Sequence, residues 1–212
     1  MNKLLIGVFA LVLIAVGAYF AFKDAPVPEE EIETATSSSP IIEPEDNPFS
    51  GRQTQLFNEP ALSVSFHYPS DADGYTLVDT SEQTGGMGEF MKFISLYQTE
   101  EWEEFQNATS PREGPPSISL MVVPVGTFDS PETWVKGSEL SNFQLSGSEV
   151  GHTTVNGLQA YRYRYDGLYQ AEATALVANS NAYVLTVSYN DEEDSIYADY
   201  EAMLETLEIR VR

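Results

Sequence analysis

VGHTTVNGLQAYRYRYDGLYQAEATALVANSNAYVLTVSY, residues 150–189, decides the fold. It holds four strand-like runs, 150–155, 159–165, 170–177 and 182–189, separated by Asn156-Gly157, Asp166-Gly167 and Asn179-Ser180-Asn181. Asn-Gly and Asp-Gly between alternating apolar runs are strong short-range hairpin signals, because both residue types tolerate the positive φ of a tight turn. Four runs joined by three such turns predict an antiparallel meander.

The register of its middle hairpin follows from what each face would bury. An even loop at Asp166-Gly167 places Arg162 and Arg164 on the face of Ala171, Ala173 and Ala175. An odd loop, with Gly167 in a bulge, instead places Tyr161 and Tyr163 over those alanines and Arg162 beside Gln170 and Glu172 on the other face. Burying tyrosine rings on alanine costs far less than burying guanidinium groups, which predicts the odd loop. Glu172 is then the natural counter-charge for the two arginines, which form structural pairs or bind an anionic ligand.

Toward the C-terminus, Asp191-Glu192-Glu193-Asp194 are expected in the first turn of a helix, where the macrodipole favours carboxylates. Ile196, Tyr200, Met203 and Leu207 recur at three and four residues, an amphipathic helix laid on the sheet. Residues 207–211 alternate as a short closing strand. Toward the N-terminus, residues 62–68, 75–80, 90–97 and 117–125 read as strands, with Pro124 marking an edge or a strand end. Ser130-Pro131-Glu132 supplies an N-cap, a first-position proline and a first-turn acid for a helix running to about Leu140. Between Gln98 and Pro116 lies a long connection whose first half suits a short amphipathic helix. Trp102 and Phe105 there either fold back onto the sheet edge or anchor a partner among Glu100, Glu101, Glu103 and Glu104.

The stretches SVSFHYPSDADGYTLV, ISLMVVPVGTFDSPETWV and TVNGLQAYRYRYDG, with the terminal DYEAMLETLEI, resemble the PsbP-like family over about residues 62–212. That family comprises the extrinsic photosystem II subunit and its bacterial relatives. The resemblance implies an α+β fold in which an antiparallel β-sheet is flanked by helices on both faces, an α/β/α sandwich. It also implies a binding or assembly module rather than an enzyme. The photosynthetic role is not implied, since no residue match supports it, and an anchor and acidic tether depart from the plant-type arrangement.

Those departures lie at the N-terminus. LLIGVFALVLIAVGAYFAF, bounded by Leu4 and Phe22, has no charge and no proline. As a helix it spans roughly 28 Å, close to the hydrocarbon thickness of a bilayer. Small residues at Ala15-Val16-Gly17 or Val16-Gly17-Ala18 could form a signal cleavage site, but the apolar run continues through Phe22, the length of an anchor. Residues 1–23 are therefore expected to be one N-terminal transmembrane helix, with the lipid bilayer as partner. Lys3 and Lys23 flank the run, and no further basic residue follows before Arg52. This places the N-terminus in the cytoplasm and the rest outside. Residues 24–60, rich in proline, serine and glutamate, read as a disordered acidic tether. Residues 61–212 read as one globular domain.

Ten basic against 33 acidic residues give a net charge of −23. That sign argues against nucleic acid and anionic headgroups as ligands. The chain has no cysteine and two histidines, His67 and His152, so no zinc site is spelled out. The Asp71-Ala72-Asp73-Gly74 run lacks the rest of a calcium loop, and no catalytic motif is present. No cofactor, metal ligand set or catalytic residue is predicted. The expected function is a membrane-tethered extracytoplasmic binding domain for an envelope protein. Arg162, Arg164, Tyr161, Tyr163, Trp102 and Phe105 are its candidate contact residues. The alternative is a module binding a small ligand or, weakly, a divalent cation.

Overall fold

The computed structural model describes residues 48–49, 51–81, 91–145 and 147–211. In chain order they form β1 (Thr54–Glu59), β2 (Val64–Pro69), β3 (Tyr75–Asp79), β4 (Lys92–Gln98), α1 (Thr99–Gln106), β5 (Ser117–Pro124) and α2 (Pro131–Gly137). Then come β6 (Ser148–Val155), β7 (Leu158–Asp166), β8 (Gln170–Ala178), β9 (Asn181–Tyr189), α3 (Ser195–Thr206) and β10 (Glu208–Ile209). The transmembrane helix expected at residues 4–22 lies outside the described residues. Among the described residues no helix is long and apolar enough to cross a membrane.

Strands β6 to β9 pair as the meander, antiparallel throughout. Asn156 and Gly157 take φ of 47° and 81° between Val155 and Leu158, and Asn179 and Ser180 take 50° and 61° between Ala178 and Asn181. The positive φ at both central residues gives the turn twist that two-residue hairpins need. The middle loop is odd: Asp166 pairs with Gln170 across Gly167, Leu168 and Tyr169. Tyr161 and Tyr163 accordingly face Ala175 and Ala173, while Arg162 faces Thr174 and Arg164 faces Glu172. The expected bulge is absent, since Gly167 keeps out of the left-handed region.

The meander joins β3, β4 and β5 in one seven-stranded sheet of order β3-β4-β5-β9-β8-β7-β6. Pro124 closes β5, a central strand, so its missing N–H falls at a strand end. One face buries Trp134 and Val135 of α2 against Val184, Tyr161 and Tyr163. The other buries Ile196, Tyr200 and Met203 of α3 against Leu120, Leu185 and Val187. Helices thus cover both faces, as an α+β sandwich requires. The second face also carries a three-stranded sheet, β1-β2-β10, whose Val64 and Phe66 enter the same core.

That small sheet corrects the tether boundary. Residues 54–59, expected in a disordered segment ending at 60, pair with β2 along their whole length, and Phe49 is buried. Phe57 of β1 packs 5.0 Å from Phe66 while Leu56 stays exposed, so one packed apolar side chain suffices once β2 offers a ladder. The helix after Ser130 stops at Gly137 rather than Leu140. Its capping box with Thr133 forms, but a Cβ at 137 would meet the Phe128 ring at 2.4 Å, so that close approach requires glycine. The four acids at 191–194 also precede α3 instead of forming its first turn. Asp194 is the N-cap, and its carboxylate accepts the backbone N–H groups of Asn190 and Asp191, closing a turn of its own.

Candidate functional site

Three groups of polar side chains depend on this framework, and each treats charge differently. The first lies between the meander and α3. Arg162 on β7 donates to Glu172 on β8 and to Glu201 on α3. Arg164 donates through Nε to Glu172 Oε2 at 2.7 Å and pairs with Glu192 at 2.7 Å. Tyr197 donates its hydroxyl to the same Glu172 oxygen at 3.0 Å, and burial beside Glu172 pushes that hydroxyl up to about 12. Glu172 is only 1% exposed. A carboxylate removed from water needs such a set of donors, and two guanidinium groups and a phenol provide it. The predicted counter-charge therefore exists, and both arginines are committed to it. Tyr161 and Tyr163 lie on the opposite face at 1% exposure, Tyr163 donating to the Ser141 carbonyl at 2.8 Å. The four residues do not converge on one site.

The second group is the Asp71–Gly74 loop, which takes an internal cation. Arg52 engages all three nitrogens of its guanidinium, on this loop and on Asp199 of α3. Nε and Nη2 reach the two Asp71 oxygens at 3.2 Å, Nη2 reaches the Asp73 carbonyl at 2.8 Å, and Nη1 reaches the Asp199 oxygens at 3.0 and 2.9 Å. Tyr75 adds its hydroxyl to Asp199 at 2.8 Å. The hydrogen bond from Arg52 holds the Asp71 carboxyl below the usual carboxylate range. Among the described residues no group of three His, Asp or Glu side chains is placed to hold a metal ion. His67 is exposed, and His152 lies 3.2 Å from Glu132 with its ring edge-on to Tyr161.

The third group is α1 and its surroundings, at the end of the sheet where β4 stops and β5, β8 and the 190–194 turn begin. No residue of α1 is buried. Trp102 stacks on Tyr97 with ring centres 4.4 Å apart and planes 13° apart; Phe105 continues the stack at 5.6 Å, and the Arg112 guanidinium lies 5.8 Å from the Phe105 ring centre. Trp102 and Phe105 therefore do fold back onto the sheet, yet both stay half-buried. Beneath the stack the α2-side face changes character. Reading across β4, β5 and β9, one row holds Ser95, Ser119 and Thr186, where the next row toward α2 holds Phe93, Met121 and Val184. Nearby, Leu168 is 58% exposed and Tyr169 donates to the Gly114 carbonyl at 2.8 Å.

No family model matches this chain, and no curated protein matches it. A solved structure is similar. It is the solution structure of cyanobacterial PsbP (CyanoP) from Synechocystis sp. PCC 6803, at 11% identity and a TM-score of 0.48, covering 74% of this chain and 92% of that one.

Sequence reading paired Arg162 and Arg164 with Glu172 but missed Glu201, Glu192 and Tyr197, which reach the network only because α3 crosses β7 and β8. It also missed Arg52. One signal was available: Arg52 is the single lysine or arginine between Lys23 and Lys92, two residues before the strand TQLFNE.

Proposed function

We propose that this chain is a membrane-tethered extracytoplasmic protein-binding domain without catalytic activity, presenting α1 and its flanking loops to a partner in the cell envelope. The observation that carries this reading is the Tyr97–Trp102–Phe105 stack. Large aromatic rings half-open to solvent on a helix with no buried residue are the group type that anchors protein interfaces. The ionic networks support the same conclusion by elimination within the described residues, because Arg52, Arg162 and Arg164 are occupied by carboxylates of the fold. Residues 4–22, an uncharged run of spanning length, supply the tether in this proposal.

Site-specific photo-cross-linking in intact envelopes tests it. A photoreactive side chain at Phe105 of the full chain is expected to trap one discrete partner band, and the same group at Val150, exposed on the edge strand β6, is expected to trap none. Equal trapping from both positions, or none from Phe105, contradicts the proposal.

A further inference from the structure

The surroundings of the aromatic stack specify the chemistry of what docks on it. Glu100, Glu103 and Glu104 are exposed along α1, and Glu113, Asp191, Glu192 and Glu193 are exposed around it. Cations at this end already have partners. Arg112 lies over Phe105, Arg164 pairs with Glu172 and Glu192, and Arg52 is enclosed by Asp71 and Asp199. Glu101 stands apart from the other acids. Its Oε2 is shielded from solvent and has no hydrogen-bond partner, while burial and the neighbouring Asp194 hold its carboxyl above the usual range. A shielded acceptor without a donor is rare in a folded protein, and a donor supplied on binding would remove its cost.

We infer that α1 and the 190–194 turn dock a basic segment of the partner polypeptide, with a lysine or arginine pairing with Glu101 and its aliphatic stem lying on Trp102 and Phe105. This rests on the protein-binding reading above. Charge complementarity chooses the occupant. A second copy would bring another −23 charges to the same face, and nucleic acid or an anionic lipid surface would be repelled. Arg112 over Phe105 already displays the geometry that the incoming cation would repeat on Trp102.

Trp102 is its own reporter, since Trp134, the other tryptophan, is 1% exposed and walled into the core. The full chain in detergent is titrated at physiological ionic strength with a capped Lys/Arg/Leu peptide lacking aromatic residues. A saturable change in emission is expected, and it is expected to be absent from Trp102→Phe. In the double variant Glu101→Gln, Glu104→Gln the affinity is expected to fall about tenfold, equivalent to about 1.4 kcal/mol. The triple variant Glu139→Gln, Glu205→Gln, Glu208→Gln, which removes more charge far from α1, is expected to change affinity by no more than about twofold, within the usual range for rim charges. Equal weakening in both variants means attraction by net charge alone and overturns the inference. The same emission change with magnesium chloride alone, or no saturable change, also overturns it. If cross-linking from Phe105 traps a partner whose trapped peptide contains no lysine or arginine, the basic-segment inference fails while the binding reading stands.

Discussion

Glu172 on β8 and Glu101 on α1 each shield a carboxylate oxygen from water, and their company differs completely. Glu172 receives two arginines from β7 and a tyrosine from α3, so its charge fastens α3 to the meander. Glu101 lies among Asp194, Glu104 and Glu100, with Arg112 as a neighbouring cation but no donor on Oε2. The chain has only ten basic residues for 33 acids, and three of them, Arg52, Arg162 and Arg164, are spent on carboxylates inside the fold. Inside the fold Arg52, Arg162 and Arg164 thus face carboxylates, while the α1 end is left acidic and aromatic. A buried pair of this kind is weak ground for claiming net stability, but breaking one leaves uncompensated charge. An unpaired carboxylate costs the fold something at all times.

This contrast can be broken from either side. Removing Glu172 has the largest expected effect: Glu172→Ala leaves Arg162 facing the core without its buried counter-charge and lowers stability by about 3–5 kcal/mol, read from urea unfolding of the full chain by Trp134 emission. Arg52→Ala follows, at about 1–3 kcal/mol, because Asp199 and the Asp71 loop lose their shared donor. The pH dependence provides a second readout. Asp71 is held below its ordinary pKa in the folded state, so its contribution is present above the usual carboxylate range and is lost as pH falls through the lowered value. In Arg52→Ala the gap from wild type is expected to narrow on acidification.

Substitutions at the α1 end are expected to be milder. Trp102→Ala removes one stacked, half-buried ring and costs on the order of 1 kcal/mol, while cross-linking from Phe105 is lost. Glu101→Gln has the smallest effect and the opposite sign. A carboxyl whose folded pKa is raised favours the fold below its ordinary pKa and loses that contribution as pH rises through the folded value. The variant is therefore expected to have a slightly higher urea midpoint than wild type at pH 7 and an equal one at about pH 4, near the ordinary carboxylate range. A destabilised Glu101→Gln at pH 7 would mean that Glu101 has an internal partner after all.

Much of the sheet was legible because its turns are local. Asn156-Gly157 and the Asn179 turn encode positive φ in two residues, and the alanines of β8 fix which face accepts tyrosine, so register followed without tertiary information. The edge strand β1 was not legible. TQLFNE has too little apolar content to declare itself, and its order comes from a ladder with β2 and from the Arg52 contacts across 19 and 147 residues of sequence. The same limit applied to the site. Arg164 opposite Glu172 is a cross-strand relation that periodicity can reach, whereas Glu201 and Tyr197 depend on the position of α3. Asn156 and Asn179 also do more than turn the chain: their side chains donate to the Leu207 and Arg210 carbonyls at 2.6 and 2.9 Å, holding the closing segment in place. Turn signals gave no indication of that second task.

Hydrogen exchange of the full chain, compared between membranes of whole cells that express it and the purified state, tests the central claim most directly. Docking of a partner at the acidic aromatic end is expected to slow exchange in Thr99–Gln106 and in the adjoining residues 107–116 in the membranes, with Ser195–Thr206 equally protected in both states. Slowing confined to another surface, or no difference between the two states, would contradict the account.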